Sequence, residues 1–137
     1  MARPRDESAV ERPRDASGAK FQRQAAAERL SAERDELRGR LASMSRDLEA
    51  LFAASADSNA DDEHDPEGQT IAYERSQLAS LIRAAEDHLG AVEAGMIRLQ
   101  QGSYGICEVC GQPIPAARLD ARPTARTCIE HASRTRP

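Results

Sequence analysis

At 137 residues, with 3% aromatic and 31% charged residues, two Phe, two Tyr and no Trp, the chain has room for one domain but little material for a thick globular core. Such a composition suits thin helix–helix seams and argues against the enclosed apolar pocket that an enzyme needs for a small substrate. A formal net charge of −4 gives no general attraction to nucleic acid, no apolar run is long enough to span a bilayer, and the N-terminus (Arg3, Arg5, Asp6, Glu7) has no apolar stretch of a signal peptide, so a cytoplasmic location without membrane contact is expected.

Residues 1–19 carry Pro4, Pro13, Gly18 and a short repeat, Arg3-Pro4-Arg5-Asp6 and Arg12-Pro13-Arg14-Asp15, with almost nothing to bury. They read as a disordered N-terminal tail. Acids and bases nearly cancel there, which argues against a nucleic-acid-binding arm.

From Lys20 to Ser55 the sequence lacks Pro and places Leu30, Leu37, Leu41, Met44, Leu48 and Leu51 at gaps of 7, 4, 3, 4 and 3, a heptad stripe on one helix. From Thr70 to Gln100 the stripe Leu78, Ile82, Ala85, Leu89, Val92, Met96, Leu99 alternates steps of 4 and 3, which predicts a second helix. Two such stripes joined by a short polar stretch cover each other by folding back, so residues 20–101 are expected to form a long antiparallel coiled-coil hairpin. Arg34 and Arg75 fall on the stripes, and their stems are expected along the seam with both guanidinium groups in water.

The far end of the rod is acidic. Residues 56–68 hold six Asp or Glu and no Lys or Arg, with the acidic tip at 57–67. Asp65-Pro66 is a helix start, Pro at the first helical position behind an N-cap, and acids there complement the helix dipole. Capping accounts for only some of the six acids. Asp61, Asp62, Asp65 and Glu67 are the candidate partner-binding residues, for a basic surface or a metal ion.

Gly102 predicts the end of the second helix. Beyond it, residues 102–137 contain Gly105, Gly111, Pro113, Pro115 and Pro123, and all three cysteines of the chain. Cys107, Cys110, Cys128 and His131 are spaced C-x2-C-x17-C-x2-H. Each short pair lets two ligands of one turn chelate the same ion, and three thiolates with one neutral imidazole suit one structural zinc with no position left for water. His131 is the candidate fourth ligand; the alternative is a solvated histidine near the chain end. A redox pair at Cys107 and Cys110 would leave two donors at matching spacing idle, and no βαβ pattern surrounds it. His64 and His88 read as exposed residues. Tyr104, Ile114 and Leu119 are expected to form a small core beneath the metal, with zinc supplying most of the segment's stability.

Tyr104-Gly105, Cys107, Cys110-Gly111, Ile114, Arg118-Leu119, Ala121-Arg122-Pro123-Thr124-Ala125 and Cys128-Ile129 together resemble the DksA/TraR zinc-finger pattern. The resemblance covers about thirty residues at motif level, and the hairpin before them is similar in architecture to that family's coiled coil. It implies a bacterial, non-enzymatic transcription regulator that binds RNA polymerase, with the zinc end near the rim of the secondary channel and the coiled-coil tip directed to the active centre, modulating initiation. The chain departs from the family in three places. Only Asp65-Pro66 of the family's Asp-Pro-x-Asp-x-Ala tip is present; the positions that resemble its basic contacts to ppGpp hold Ala91 and Ala132, which argues against joint action with that nucleotide; and His131 stands where a fourth Cys is usual. The fold class expected is therefore all-α: a disordered tail, a coiled-coil hairpin and a small C-terminal zinc finger, acting as a monomer without reading DNA sequence. The alternatives are a zinc-containing coiled-coil adaptor for another protein and a direct DNA-binding zinc protein, which would form a salt-sensitive complex with duplex DNA by itself.

Overall fold

The structure, a computed structural model, describes residues 16–57 and 66–135. Two long helices dominate: α1 (Ala16–Asp57) and α2 (Pro66–Gln101), followed by a short α3 (Ala116–Ala121) and a 3-10 segment (Ile129–Thr135). The expected all-α hairpin is present. Most of the tail and Asp61, Asp62 and Asp65 of the tip lie outside the described residues. Among the described residues, no helix is long and apolar enough to cross a membrane.

Helix α1 begins at Ala16, four residues before the expected start. After Pro13 the chain meets no residue that lacks an amide proton, and the only breaker, Gly18, costs about 1 kcal/mol against the strong helix formers Ala16 and Ala19. Helix α2 begins at Pro66, whose fixed φ and missing N–H are tolerated at a first helical position, and Glu67 lies in its first turn. It ends at a Schellman motif: Gly102 takes φ 76°, its amide donates to Leu99 O at 3.3 Å, and Ser103 N donates to Arg98 O at 2.9 Å.

The 3-4 stripes face each other as the periodicity requires. Leu30 and Leu37 of α1 meet Val92 of α2 in a buried cluster, with Leu89, Met96, Leu99 and Tyr104 packed against it. This cluster lies in the lower half of the rod, near the zinc-binding segment. Gly95 is buried there because a Cβ on it would stand 3.3 Å from Leu30 Cδ1; the missing side chain lets the helices approach closely. Cross-helix pairs flank the same region: Arg38 Nη2 reaches Glu93 Oε1 at 3.1 Å and His88 Nε2 reaches Glu33 Oε1 at 2.8 Å. Toward the tip the stripe residues Leu41, Met44, Leu48, Leu51, Leu78 and Ile82 are half-buried, as is Ile71, seven residues before Leu78. A two-helix rod can cover each seam side chain from one direction only.

The seam arginines behave differently from each other. Arg34 is half-buried, with Nε 3.0 Å from Asp35 Oδ1, Nη2 3.2 Å from Ser31 Oγ and Nη1 4.0 Å from Met96 Sδ on α2. Arg75 is half-buried: its guanidinium lies 4.0 Å from the centroid of the exposed Phe52 ring, and its Nε is buried without a hydrogen-bond partner. The flat cation stacks on an aromatic face of the opposite helix.

Candidate metal centre

Beyond Gly102 the chain turns back on itself twice. Gly105 and Gly111 both adopt left-handed φ, 79° and 70°, which an L side chain would strain. Around them Ile106 and Pro113 form an antiparallel bridge, Cys107 N donates to Gln112 O at 2.8 Å, Gly111 N to Cys107 O at 2.9 Å, and Ile114 N to Gly105 O at 2.7 Å. Cys107 and Cys110 thus sit on one tight turn. The second pair is placed by the start of the 3-10 segment, where His131 N donates to Cys128 O at 3.1 Å.

The donor atoms of Cys107, Cys110, Cys128 and His131 all lie within 4.8 Å of one another. His131 Nδ1 is 3.1 Å from Cys128 Sγ and 3.8 Å from Cys107 Sγ. A zinc tetrahedron with Zn–S near 2.3 Å and Zn–N near 2.0 Å has edges of about 3.5–3.8 Å, so these side chains cluster close to the spacing that zinc ligands need. Burial pushes the Cys107 thiol up, but amides of Cys110, Cys128 and Val109 directed at its sulfur outweigh that and bring it down to about 6. An amide nest of this kind stabilises thiolate before any ion arrives. The Cys110 thiol is held above its usual value: the Gln112 amide lowers it, while burial and the neighbouring Cys107 and Cys128 sulfurs raise it by more. Repulsion between sulfurs packed this closely is relieved by a divalent cation.

Side chains around the ligands tie the two turns together. Arg126 Nε lies 3.0 Å from both Glu108 carboxylate oxygens and its Nη2 is 2.8 Å from Oε2, while Glu108 N donates to Arg126 O at 3.0 Å. Glu108 sits between the first two cysteines and Arg126 two residues before the third, so this fork bridges the halves of the site. The hydrogen bonds that Arg126 donates to Glu108, and the carboxylate's charge, raise the Arg126 pKa. Arg118 on α3 donates Nε to the carbonyl of buried Thr127 at 2.7 Å, fixing the strand of chain that leads into Cys128. None of these supports was named from the sequence; acid and base beside the metal ligands on opposite turns were the available signal for the first.

The small core is Cys107, Ile114, Ala125 and Thr127, with Leu119 half-buried beside Gly105. Ile114 and Leu119 lie where expected, but Tyr104 does not belong beneath the metal. It packs on the hairpin cluster and donates its hydroxyl to Pro123 O at 2.7 Å, while Arg98 Nη2 reaches Thr124 O at 3.4 Å. Both contacts join α2 and the turn after it to the loop that precedes Cys128. Burial lowers the Arg98 pKa and raises that of Tyr104.

Of the acidic tip residues, Glu67 is exposed in the first turn of α2, at the end remote from the four donors. From Glu67 to Gln101 the helix alone spans about 50 Å. Glu67 and the metal site therefore lie at opposite ends of α2.

A helical hairpin that carries four convergent Cys and His donors on two tight turns at its base is a coiled-coil zinc-finger protein, and the zinc is of the structural kind. Residues 102–134 match the prokaryotic dksA/traR C4-type zinc finger. The solved structure of transcription factor DksA2 from Pseudomonas aeruginosa is similar over 90% of this chain and 89% of that one, with a TM-score of 0.73 and 26% identity. Among curated proteins, YteA of Bacillus subtilis is 40% identical over 72 residues, 53% of this chain and 30% of that protein. RNA polymerase-binding transcription factor DksA of Caulobacter vibrioides is 44% identical over 46 residues, 34% of this chain and 32% of that protein. The chain thus spans about a third of the length of these two curated relatives. Residues 102–134 are thus similar to a dksA/traR-type zinc finger, on a helical hairpin similar to that of the DksA2 structure.

Proposed function

We propose that this protein is a non-enzymatic transcription regulator that binds RNA polymerase at its secondary channel. The zinc-bearing base rests near the channel rim, and the hairpin enters with Asp61, Asp62, Asp65 and Glu67 directed toward the active centre. Cys107, Cys110, Cys128 and His131 hold the ion, which carries no chemistry of its own: with four protein ligands it has no open position, and its work is to keep the two turns and the loop from Ala121 to Cys128 in place.

The observation that carries this reading is the separation of the two ends along α2. A rod about 10 Å wide per helix and about 50 Å long can pass where a globule cannot, and carboxylates at its leading end can pair with basic residues or perturb a catalytic magnesium ion. The DksA relatives, named as RNA polymerase-binding, support the choice of partner. With Ala91 and Ala132 at the positions that resemble the family's nucleotide contacts, the action is independent of ppGpp. The protein works as a monomer, in the cytoplasm, and without reading DNA sequence.

A crosslinking map with purified RNA polymerase tests partner, orientation and tip location together. Crosslinks from the Glu67 end to residues near the catalytic magnesium, and from the zinc finger to the channel entrance, are expected. Crosslinks scattered over the outer surface, or none, would overturn the reading.

A further inference from the structure

The two halves of the hairpin are held differently. In the lower half, Leu30, Leu37 and Val92 form a buried cluster with Leu30 seated against Gly95, and the Arg38–Glu93 and His88–Glu33 pairs flank them. In the upper half the seam residues are half-buried and repeat with the same 3-4 spacing, mostly as Leu and Ile. A uniform repeat of this kind specifies alignment weakly, because sliding one helix by a heptad presents the same face again. Arg75 interrupts that repeat. From a seam position on α2 its guanidinium stacks 4.0 Å from the Phe52 centroid and its Nη1 reaches Ser55 Oγ at 3.4 Å, both on α1 and both within the last two turns before Asp57.

We infer that Arg75 is a positioning residue: its clasp on Phe52 and Ser55 fixes the alignment of the two helices below the tip, and so aims the tip carboxylates, at a cost in stability. The cost is visible in the buried Nε, which has left water without gaining a partner. A leucine would fill the seam more favourably and could not choose between alignments. A single polar residue at a seam position of a coiled coil acts in this way in general, specifying register while weakening the assembly. The Phe52 ring supplies the specificity, since a slide of α1 by one heptad would bring a different side chain under the cation; Ser45 and Asn59 are the residues seven before and after it.

The inference deepens the proposed function, and its test separates the two. Spin labels carried on keto-bearing residues at Ala54 and Glu74, both exposed, report the inter-helix distance in the full zinc-loaded chain without touching its thiols. The wild-type chain is expected to give one narrow distance distribution. Arg75→Leu and Phe52→Leu should both broaden it, while Arg75→Leu melts no lower than wild type, and about 2–4 °C higher if filling the seam recovers the loss at Nε. Arg75→Lys, which keeps a cation over the ring, should stay narrow. In transcription assays Arg75→Leu should keep polymerase binding and lose most of its effect. A narrow, unshifted distribution in Arg75→Leu would overturn the inference, as would a lower melting temperature with parallel loss of helix, which marks an ordinary structural residue. If the wild-type chain ignores polymerase while Arg75→Leu still broadens, the proposed function fails and the alignment role stands.

Discussion

The hydroxyl of Tyr104 donates to the carbonyl of Pro123 at 2.7 Å, and the ring of the same residue packs on the Leu30, Leu37 and Val92 cluster. One side chain thereby joins the hairpin seam to the loop that leads into the third cysteine. The metal site and the rod are mechanically coupled through it, together with Arg98 on the Thr124 carbonyl.

That coupling has a pH signature. Burial holds the Tyr104 pKa above its ordinary value of 10.0, so the folded chain binds this proton more tightly than the unfolded chain does. The contribution is fully present below the unfolded value and is lost as pH rises through the raised folded one. A Tyr73→Phe variant leaves Tyr104 as the sole tyrosine, and its tyrosinate absorbance is expected to develop above pH 10 together with a loss of finger structure. Tyr104→Phe, which keeps the packing and leaves the Pro123 carbonyl unpaired, should cost about 1 kcal/mol by urea unfolding.

Elemental analysis of the purified chain should find one zinc per molecule. Cys128→Ser removes one thiolate and should abolish stoichiometric zinc at micromolar chain, since zinc supplies about 10 kcal/mol or more to small fingers. Because α1 and α2 bury their own seam, circular dichroism should retain most of the helical signal while protease cuts the segment after Gly102. Full metal content in this variant would show that another donor completes the site.

Gly95 is tuned to its neighbour. Gly95→Ala gains about 1 kcal/mol of helix propensity but brings a methyl to 3.3 Å from Leu30, so its net effect should stay within about 1 kcal/mol. Gly95→Leu forces the helices apart at the most buried level of the rod and should cost about 1–3 kcal/mol, read as a lower urea midpoint.

Neutralising the tip as Asp61→Asn, Asp62→Asn, Asp65→Asn and Glu67→Gln together should abolish the effect on transcription more than it reduces polymerase binding. Helix content should hardly change, since the loss of an acid from the first turn of α2 costs about 0.3–1 kcal/mol. Equal loss of binding and effect would make the tip an anchor.

Local rules made the elements of this protein legible in its residues. The 3-4 spacing of Leu30 to Leu51 and of Leu78 to Leu99 could be satisfied only by helices facing each other; Gly102 could end α2 because it alone there tolerates a left-handed turn; and C-x2-C with C-x2-H could bring four soft donors to one point only around an ion. What remained for the tertiary structure was every contact that depends on how distant segments line up: Tyr104 facing the hairpin and not the metal, Arg75 lying on Phe52, Gly95 seated against Leu30, and Glu108 forked onto Arg126. The reason is physical. A heptad stripe states which face is buried but repeats every seven residues, so it leaves the alignment of the helices open, and a side chain's partner across the seam exists only once that alignment is chosen.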